Sequence, residues 1–255
     1  MTHIKTILRI SLVLCIIICA VIAIVKMQNR SCSGVQVVID YKGENEILTE
    51  ADFIQLLIQN QIKTNGEKLK EIKLESIKKV LSNEIYVQKI NKIYFSGTKL
   101  VLDLTLREIL LHVFPSNGNP YFIDDEGYMI PFSSKIQEKL IIVNGNITHN
   151  YIEKKLITEK KSSLNSIYQI AKLLQKDPFY FNNFKQIFVN KEQVIELVPN
   201  DGSLTILFGD ENEAEEKLIK LKEIYNSVLP FSANKKYSLI DVRFKNRVIA
   251  KKANI

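Results

Sequence analysis

Three histidines, three cysteines and one short run of acids are the residues of this chain best suited to chemistry. His3 lies at the extreme N-terminus, His112 after an apolar run and His149 in an Asn-rich turn. No spacing pairs them with one another or with a nucleophile, so surface or rim positions are expected. Asp124, Asp125 and Glu126 stand together before Gly127. A calcium loop needs oxygen ligands at alternating positions over about twelve residues, a pattern absent here. A tight turn between strands is the expectation instead. No GxSxG, SxxK, HExxH, phosphate-binding loop or GxGxxG occurs. The sequence therefore predicts no catalytic residues, no cofactor and no metal site, and a protein that is not an enzyme.

Cys15 and Cys19 fall inside an apolar N-terminal stretch, and Cys32 follows it. Only Cys32 can reach an oxidising compartment, so no internal disulfide is expected. Ile7 to Val25 is apolar apart from Arg9 and Ser11. As a helix it rises about 28 Å, close to the roughly 30 Å hydrocarbon core of a bilayer. The run exceeds the roughly 7–15 residues of a signal-peptide core, and Lys26, Gln28, Asn29 and Arg30 follow it without a small-x-small cleavage site. An uncleaved span over residues 7–26 is expected, with residues 1–6 cytoplasmic and the rest of the chain extracytoplasmic. The net charge of +7 is spread along the chain with no dense basic block, which speaks against nucleic acid.

The remainder has ordinary globular composition, with 46% hydrophobic and 25% charged residues, so folded domains rather than disorder are expected. The pattern reads as α+β. Val35–Tyr41 is a β-branched strand. Thr49 with Asp52 three residues on signals a helix start, with Phe53, Leu56 and Leu57 as its buried stripe. Residues 62–73 read as a polar loop, and Leu74, Ile77 and Leu81 mark a second helix. Residues 87–95 and 99–107 form a hairpin about Ser96-Gly97-Thr98, with Leu100, Leu102, Leu104 and Leu106 on one face. The breaker cluster from Pro115 to Pro120 divides a first module, 34–114, from a second, 120–252.

The second module predicts short strands at 121–124 and 140–143, then a helix capped at Ser162 or Ser163. A three-stranded meander follows over 185–190, 193–198 and 204–208, giving a mixed α/β domain with a mostly antiparallel sheet. Asp210 with Glu213 signals another helix start. Leu218, Leu221, Tyr225 and Val228 form that helix's stripe, and Pro230 ends it. Tyr237–Lys251 reads as one terminal strand. Ile240, Val242, Phe244 and Val248 fall on one face, Asp241, Arg243, Lys245 and Arg247 on the other. Such a cationic row either protects an edge against aggregation or selects an acidic partner that adds a strand.

The order of these elements resembles the bacterial cell-division family FtsQ, also called DivIB. The β-α-α-β-β module matches the order of its POTRA domain. Tyr121-Phe122-Ile123-Asp124 with Gly127 resembles the opening of the family's β domain, and Ile141-Ile142-Val143-Asn144-Gly145 its next strand and turn. Glu196-Leu197-Val198-Pro199, Leu207-Phe208-Gly209, Lys217, Lys220-Leu221, Tyr225 and Ile240-Asp241-Val242-Arg243-Phe244 follow in the family's order. Ile109 stands where the family usually has Pro, and no Trp precedes the terminal strand. The resemblance implies a single-pass inner-membrane scaffold at the division septum. It implies coiled-coil partners of the FtsB (DivIC) and FtsL type, docked on the terminal strand. Arg243 and Phe244 match the family's docking positions, and strand continuity extends the set to Lys245, Asn246, Arg247, Val248 and Ile249. The alternatives are a POTRA-containing secretion or outer-membrane assembly factor, and a signal-anchored ligand-binding protein.

Overall fold

The computed structural model describes residues 2–42, 47–134, 136, 140–153, 155–159, 162–202, 204–227 and 237–253, with side chains from residue 12 onward except at 27 and 28. The chain divides into two compact units, Met1–Arg107 and Glu108–Ile255. Thr2–Gln28 forms one helix, α1. Its described side chains, residues 12–26, are exposed throughout, including Leu12, Ile16, Ile17, Ile22 and Val25. These fifteen residues rise only about 22 Å, and among the described residues no helix is long and apolar enough to cross a membrane.

The rest of the first unit is β1 (Gly34–Asp40), α2 (Glu50–Gln59), α3 (Leu74–Asn83), β2 (Val87–Ser96) and β3 (Lys99–Leu106). The strand order is β1-β3-β2, with β1 parallel and β2 antiparallel to β3. The expected capping box forms at the start of α2. The Thr49 hydroxyl accepts from the Asp52 N–H, and the Asp52 carboxylate accepts from the Thr49 N–H. Each satisfies a donor that the first helical turn leaves open. Phe53 and Leu57 of α2, Ile77 and Leu81 of α3, and the four alternating leucines of β3 fill one core, so both helices cover one sheet face. Residues 62–73 are more ordered than a polar loop. Leu69 and Ile72 are buried there, and the Cys32 N–H donates to the Glu67 carbonyl at 2.7 Å.

The second unit begins earlier than the sequence predicts. Ile109–Val113 is a strand, β4, followed by β5 (Tyr121–Asp124), β6 (Met129–Pro131) and β7 (Ile141–Gly145). β4 pairs antiparallel with β5 and parallel with β7, so it belongs to the second sheet. The 115–120 breaker is the loop between β4 and β5, and the division falls at Arg107/Glu108 rather than at 114–120. Then come α4 (Ser163–Lys176), α5 (Pro178–Asn183), β8 (Phe184–Val189), β9 (Ile195–Pro199), β10 (Thr205–Gly209), α6 (Ala214–Ser227), β11 (Tyr237–Asp241) and β12 (Ile249–Lys252). The sheet order is β12-β11-β10-β9-β8-β7-β4-β5-β6. Its pairs are antiparallel except β4–β7, β7–β8 and β10–β11, so the sheet is mostly antiparallel. Both exceptions involving β8 and β11 follow crossovers that carry helices, as parallel pairing requires.

Helix α4 is capped by the Ser162 side chain and buries Leu164, Ile167, Ile170, Ala171 and Leu174 at helical spacing. Ala214, Leu218 and Leu221 of α6 join the same core, so α4 and α6 share one sheet face. The expected cap at Asp210 does not form as predicted. Glu213 has a φ of 52°, outside the helical range, and α6 starts after it. Val228 and Pro230 lie outside the described residues.

Candidate functional site

The terminal segment is not one strand. β11 runs beside β10 in parallel, with Ile206 opposite Ile240 and Leu207 opposite Asp241. The Val242 N–H extends the ladder to the Leu207 carbonyl at 3.1 Å. The chain then reverses over residues 243–248 and returns as β12, antiparallel to β11, with Asp241 opposite Ile249 and Ile240 opposite Ala250. The alternation expected across Tyr237–Lys251 is therefore interrupted. Ile240 and Val242 are buried as predicted, whereas Phe244 is 37% exposed and Val248 only partly packs on the core.

Of the predicted docking residues, Arg243, Phe244, Lys245, Asn246, Arg247 and Val248 make the turn, and Ile249 begins β12. The structure thus keeps them together but gives them a different shape. β12 is the outermost strand of its end of the sheet, and all four of its residues are exposed. Ile249, Ala250, Lys251 and Lys252 present an apolar start and a cationic end. Ala250, Lys251 and Lys252 share this exposed edge with Ile249, which a reading of one continuous strand gives no reason to single out.

Arg243 is committed within the turn. Its guanidinium donates twice to the Asp241 carboxylate, at 2.9 and 2.6 Å, and its backbone N–H donates to the same group at 3.1 Å. Burial alone would raise the Asp241 carboxyl. The hydrogen bonds and charge of Arg243 outweigh that and hold it below the usual carboxylate range. The sequence carries the signal, since Asp241 and Arg243 stand two residues apart on one face of the strand. The Arg247 guanidinium lies 4.8 Å from the Phe244 ring centroid, a cation–π distance. Lys245 pairs with Glu213 at 3.4 Å.

Helix α6 supports the turn from below. Lys220 Nζ donates to the carbonyls of Phe244 at 2.8 Å, Lys245 at 3.3 Å and Val242 at 3.5 Å. One turn earlier, Lys217 is buried and donates to the Asp210 carboxylate at 3.0 Å and carbonyl at 3.1 Å. Lys217 thus closes back on the loop that enters α6, whereas Lys220, and Lys222 through the Asp177 carboxylate at 2.7 Å, reach acceptors far along the chain.

The chemistry-bearing residues are held in structural roles. Asp124 is fully buried, and its carboxylate accepts from the Glu126 and Tyr128 N–H groups at 3.1 and 2.7 Å. Gly127 has φ +90°, and a Cβ there would sit 3.0 Å from Thr158. The acidic run is thus a turn, as expected. Tyr168, with its phenol pushed up to about 12 by burial and then by Asp124, Asp125 and Glu126, donates to the Asp125 carbonyl. His112 packs among Phe114, Phe122 and Phe132 at ring distances of 4.2–5.6 Å. Burial lowers its pKa, and burial followed by Lys155 lowers that of His149. Among the described residues no group of three His, Cys, Asp or Glu side chains converges as a metal set. The open groove beside α4 and the start of α6 holds Lys172, Lys176, Glu211 and Glu215 but no histidine. Cys32 is buried with a free thiol.

A family model described as FtsQ/DivIB, C-terminal related matches residues 108–251, more than half of the chain. A second, described as POTRA-like domain, matches residues 30–103. The two matches fall on the two units described above. No curated protein matches the chain. The first match covers more than half of the chain and both fall in the expected order, so the chain belongs to the FtsQ/DivIB family of cell-division proteins, with a POTRA-like domain ahead of the matched C-terminal region.

Proposed function

We propose that the protein is a membrane-anchored, non-catalytic scaffold of the division machinery, and that β12 is the edge on which a coiled-coil partner pair of the FtsB (DivIC) and FtsL type adds a strand. The observation that carries this reading is β12 itself, an exposed outermost strand beside a braced turn. An unpaired strand edge offers backbone donors and acceptors that water satisfies only until a partner strand arrives. Arg247, Lys251 and Lys252 make the edge cationic, which favours an acidic partner segment.

The anchor is α1. Its backbone is helical over 27 residues, about 40 Å of rise, and residues 7–25 are nearly all apolar. Ten large apolar side chains on its described stretch are at least half exposed, and a lipid environment would cover them. In this reading residues 1–6 are cytoplasmic, and both units lie on the extracytoplasmic side at the septum.

The test is binding of the full-length chain, in detergent, to the purified coiled-coil pair by calorimetry. Deleting residues 249–255 removes β12 and leaves β11 in the sheet. The expected result is loss of binding with the melting transition of the second unit retained. Wild-type affinity in a folded deletion variant would sink the docking reading.

A further inference from the structure

We propose that Lys220 is the positioning residue of the docking edge, fixing the turn from which β12 departs. The proposal rests on the docking reading for its consequence, but its geometry stands alone. An ammonium has three donors and no acceptor. Lys220 spends them on three carbonyls of one turn, those of Val242, Phe244 and Lys245, 22 to 25 residues away. These carbonyls close around a point charge carried on a packed helix, whose neighbouring Leu221 is fully buried. The bond to Phe244, at 2.8 Å, is the short one.

The turn has little else to hold its backbone. Among the described residues, the Val242 N–H donates to the Leu207 carbonyl and the Arg243 N–H to the Asp241 carboxylate. The Asp241–Arg243 pair lies within the hairpin and ties the turn to its own strand. Glu213 touches it only through the flexible end of Lys245, at 3.4 Å. Lys220 is the brace that runs from the core-packed helix to the turn backbone. Without it, residues 243–248 would sample other paths and β12 would lose its register beside β11. A partner strand would then bear the ordering cost on binding.

The chemistry also predicts which replacements fail. Arginine presents a planar fork suited to two parallel acceptors, not to three converging carbonyls. Lys220→Arg is therefore expected to behave like Lys220→Met. Restoring a compact ammonium should restore the function: Lys220→Cys alkylated with 2-bromoethylamine carries one at nearly the same reach. Wild-type chain treated alike controls for Cys15, Cys19 and Cys32.

The experiment measures hydrogen exchange and partner binding on the full-length chain. In Lys220→Met and Lys220→Arg, amides of residues 242–252 should exchange faster while those of β8 and β9 stay protected. Affinity for the coiled-coil pair should fall about tenfold, the loss of one charge-assisted hydrogen bond. Alkylation of Lys220→Cys should reverse both. Wild-type exchange and affinity in the Met variant, with deletion of 249–255 still abolishing binding, would overturn the role of Lys220 and leave the docking reading standing. Faster exchange with unchanged affinity would overturn the claim that this brace serves docking. If the deletion too binds as wild type, the docking reading itself fails.

Discussion

At the scale of single residues, burial and partnership decide what each ionisable group does. His112 and His149 are both pushed toward the neutral form in the folded protein. Their folded pKa values lie below the unfolded ones, so the unfolded chain binds more protons as pH falls. Their contribution is complete above the unfolded value of about 6.5 and is lost as pH drops through the folded values. Thermal melts between pH 7.5 and 5 should show falling stability, and His112→Phe should flatten the slope. Asp241 and Asp210 are held below the usual carboxylate value of 3.8, so their contribution is present above it and is lost as pH falls below it. Charge reversal separates Arg243 from Arg247. Arg243→Glu strips the partner from a nearly buried carboxylate and should destabilise the second unit by roughly 2 kcal/mol or more. Arg247→Glu should leave the melt unchanged and slow association in a salt-dependent way. Gly145 is a harder constraint. Its φ is +97°, and a Cβ would fall 2.2 Å from the Val189 carbonyl oxygen. Gly145→Ala should cost about 3 kcal/mol in urea melts, through strain and a backbone clash together.

At the scale of elements, the terminal hairpin makes β12 the open edge of its sheet, and the docking proposal is tested there. Proline at Lys245 or Arg247 lies in the turn, where no ladder donor is lost. The informative positions are Ala250 and Lys251, neighbours in β12. Successive N–H groups of an edge strand alternate between the paired and the open side. One of the two proline variants should remove a donor to β11 and lower the melting temperature. The other should remove an outward donor, keep the melt and weaken partner binding by about 1 kcal/mol or more. Equal effects of both on melting and binding would contradict an edge-addition mode. The same logic explains why residues 62–73 and 109–113 carry more order than they advertise. Short apolar pairs such as Leu69 and Ile72 have no period, and order is supplied by the elements they meet.

At the scale of the whole molecule, the chain makes two units with separate cores, the first of which opens with an exposed apolar helix. Each core contains its own sheet and helices, so each unit has what independent folding requires. Residues 108–255 expressed alone should melt cooperatively, with a transition matching one of two seen in the full chain. Protease added outside intact cells, once the outer layers are permeable, should degrade both units and leave a short N-terminal fragment in the membrane. Recovery of a soluble form starting just after residue 30 would refute the anchor.

Local chemistry in the sequence was enough to determine the Thr49–Asp52 capping box, the buried leucines of β3, the amphipathic α4, the Asp124–Gly127 turn and the order of elements that marks the family. All but the last depend on neighbours within a few residues, where spacing and side-chain type set the geometry, and the order of elements is simply their sum along the chain. Tertiary structure alone decided the rest. Periodicity reports which face of a strand is buried but not which strand it joins, so β4 reads as a tail of the first module. A hairpin keeps alternation on both arms, and the turn at 243–248 has neither Gly nor Pro to announce it, so β11 and β12 read as one strand. The role of Lys220 arises from carbonyls more than twenty residues away. No pattern in the sequence couples them, because the coupling exists only once the sheet has brought that turn over α6.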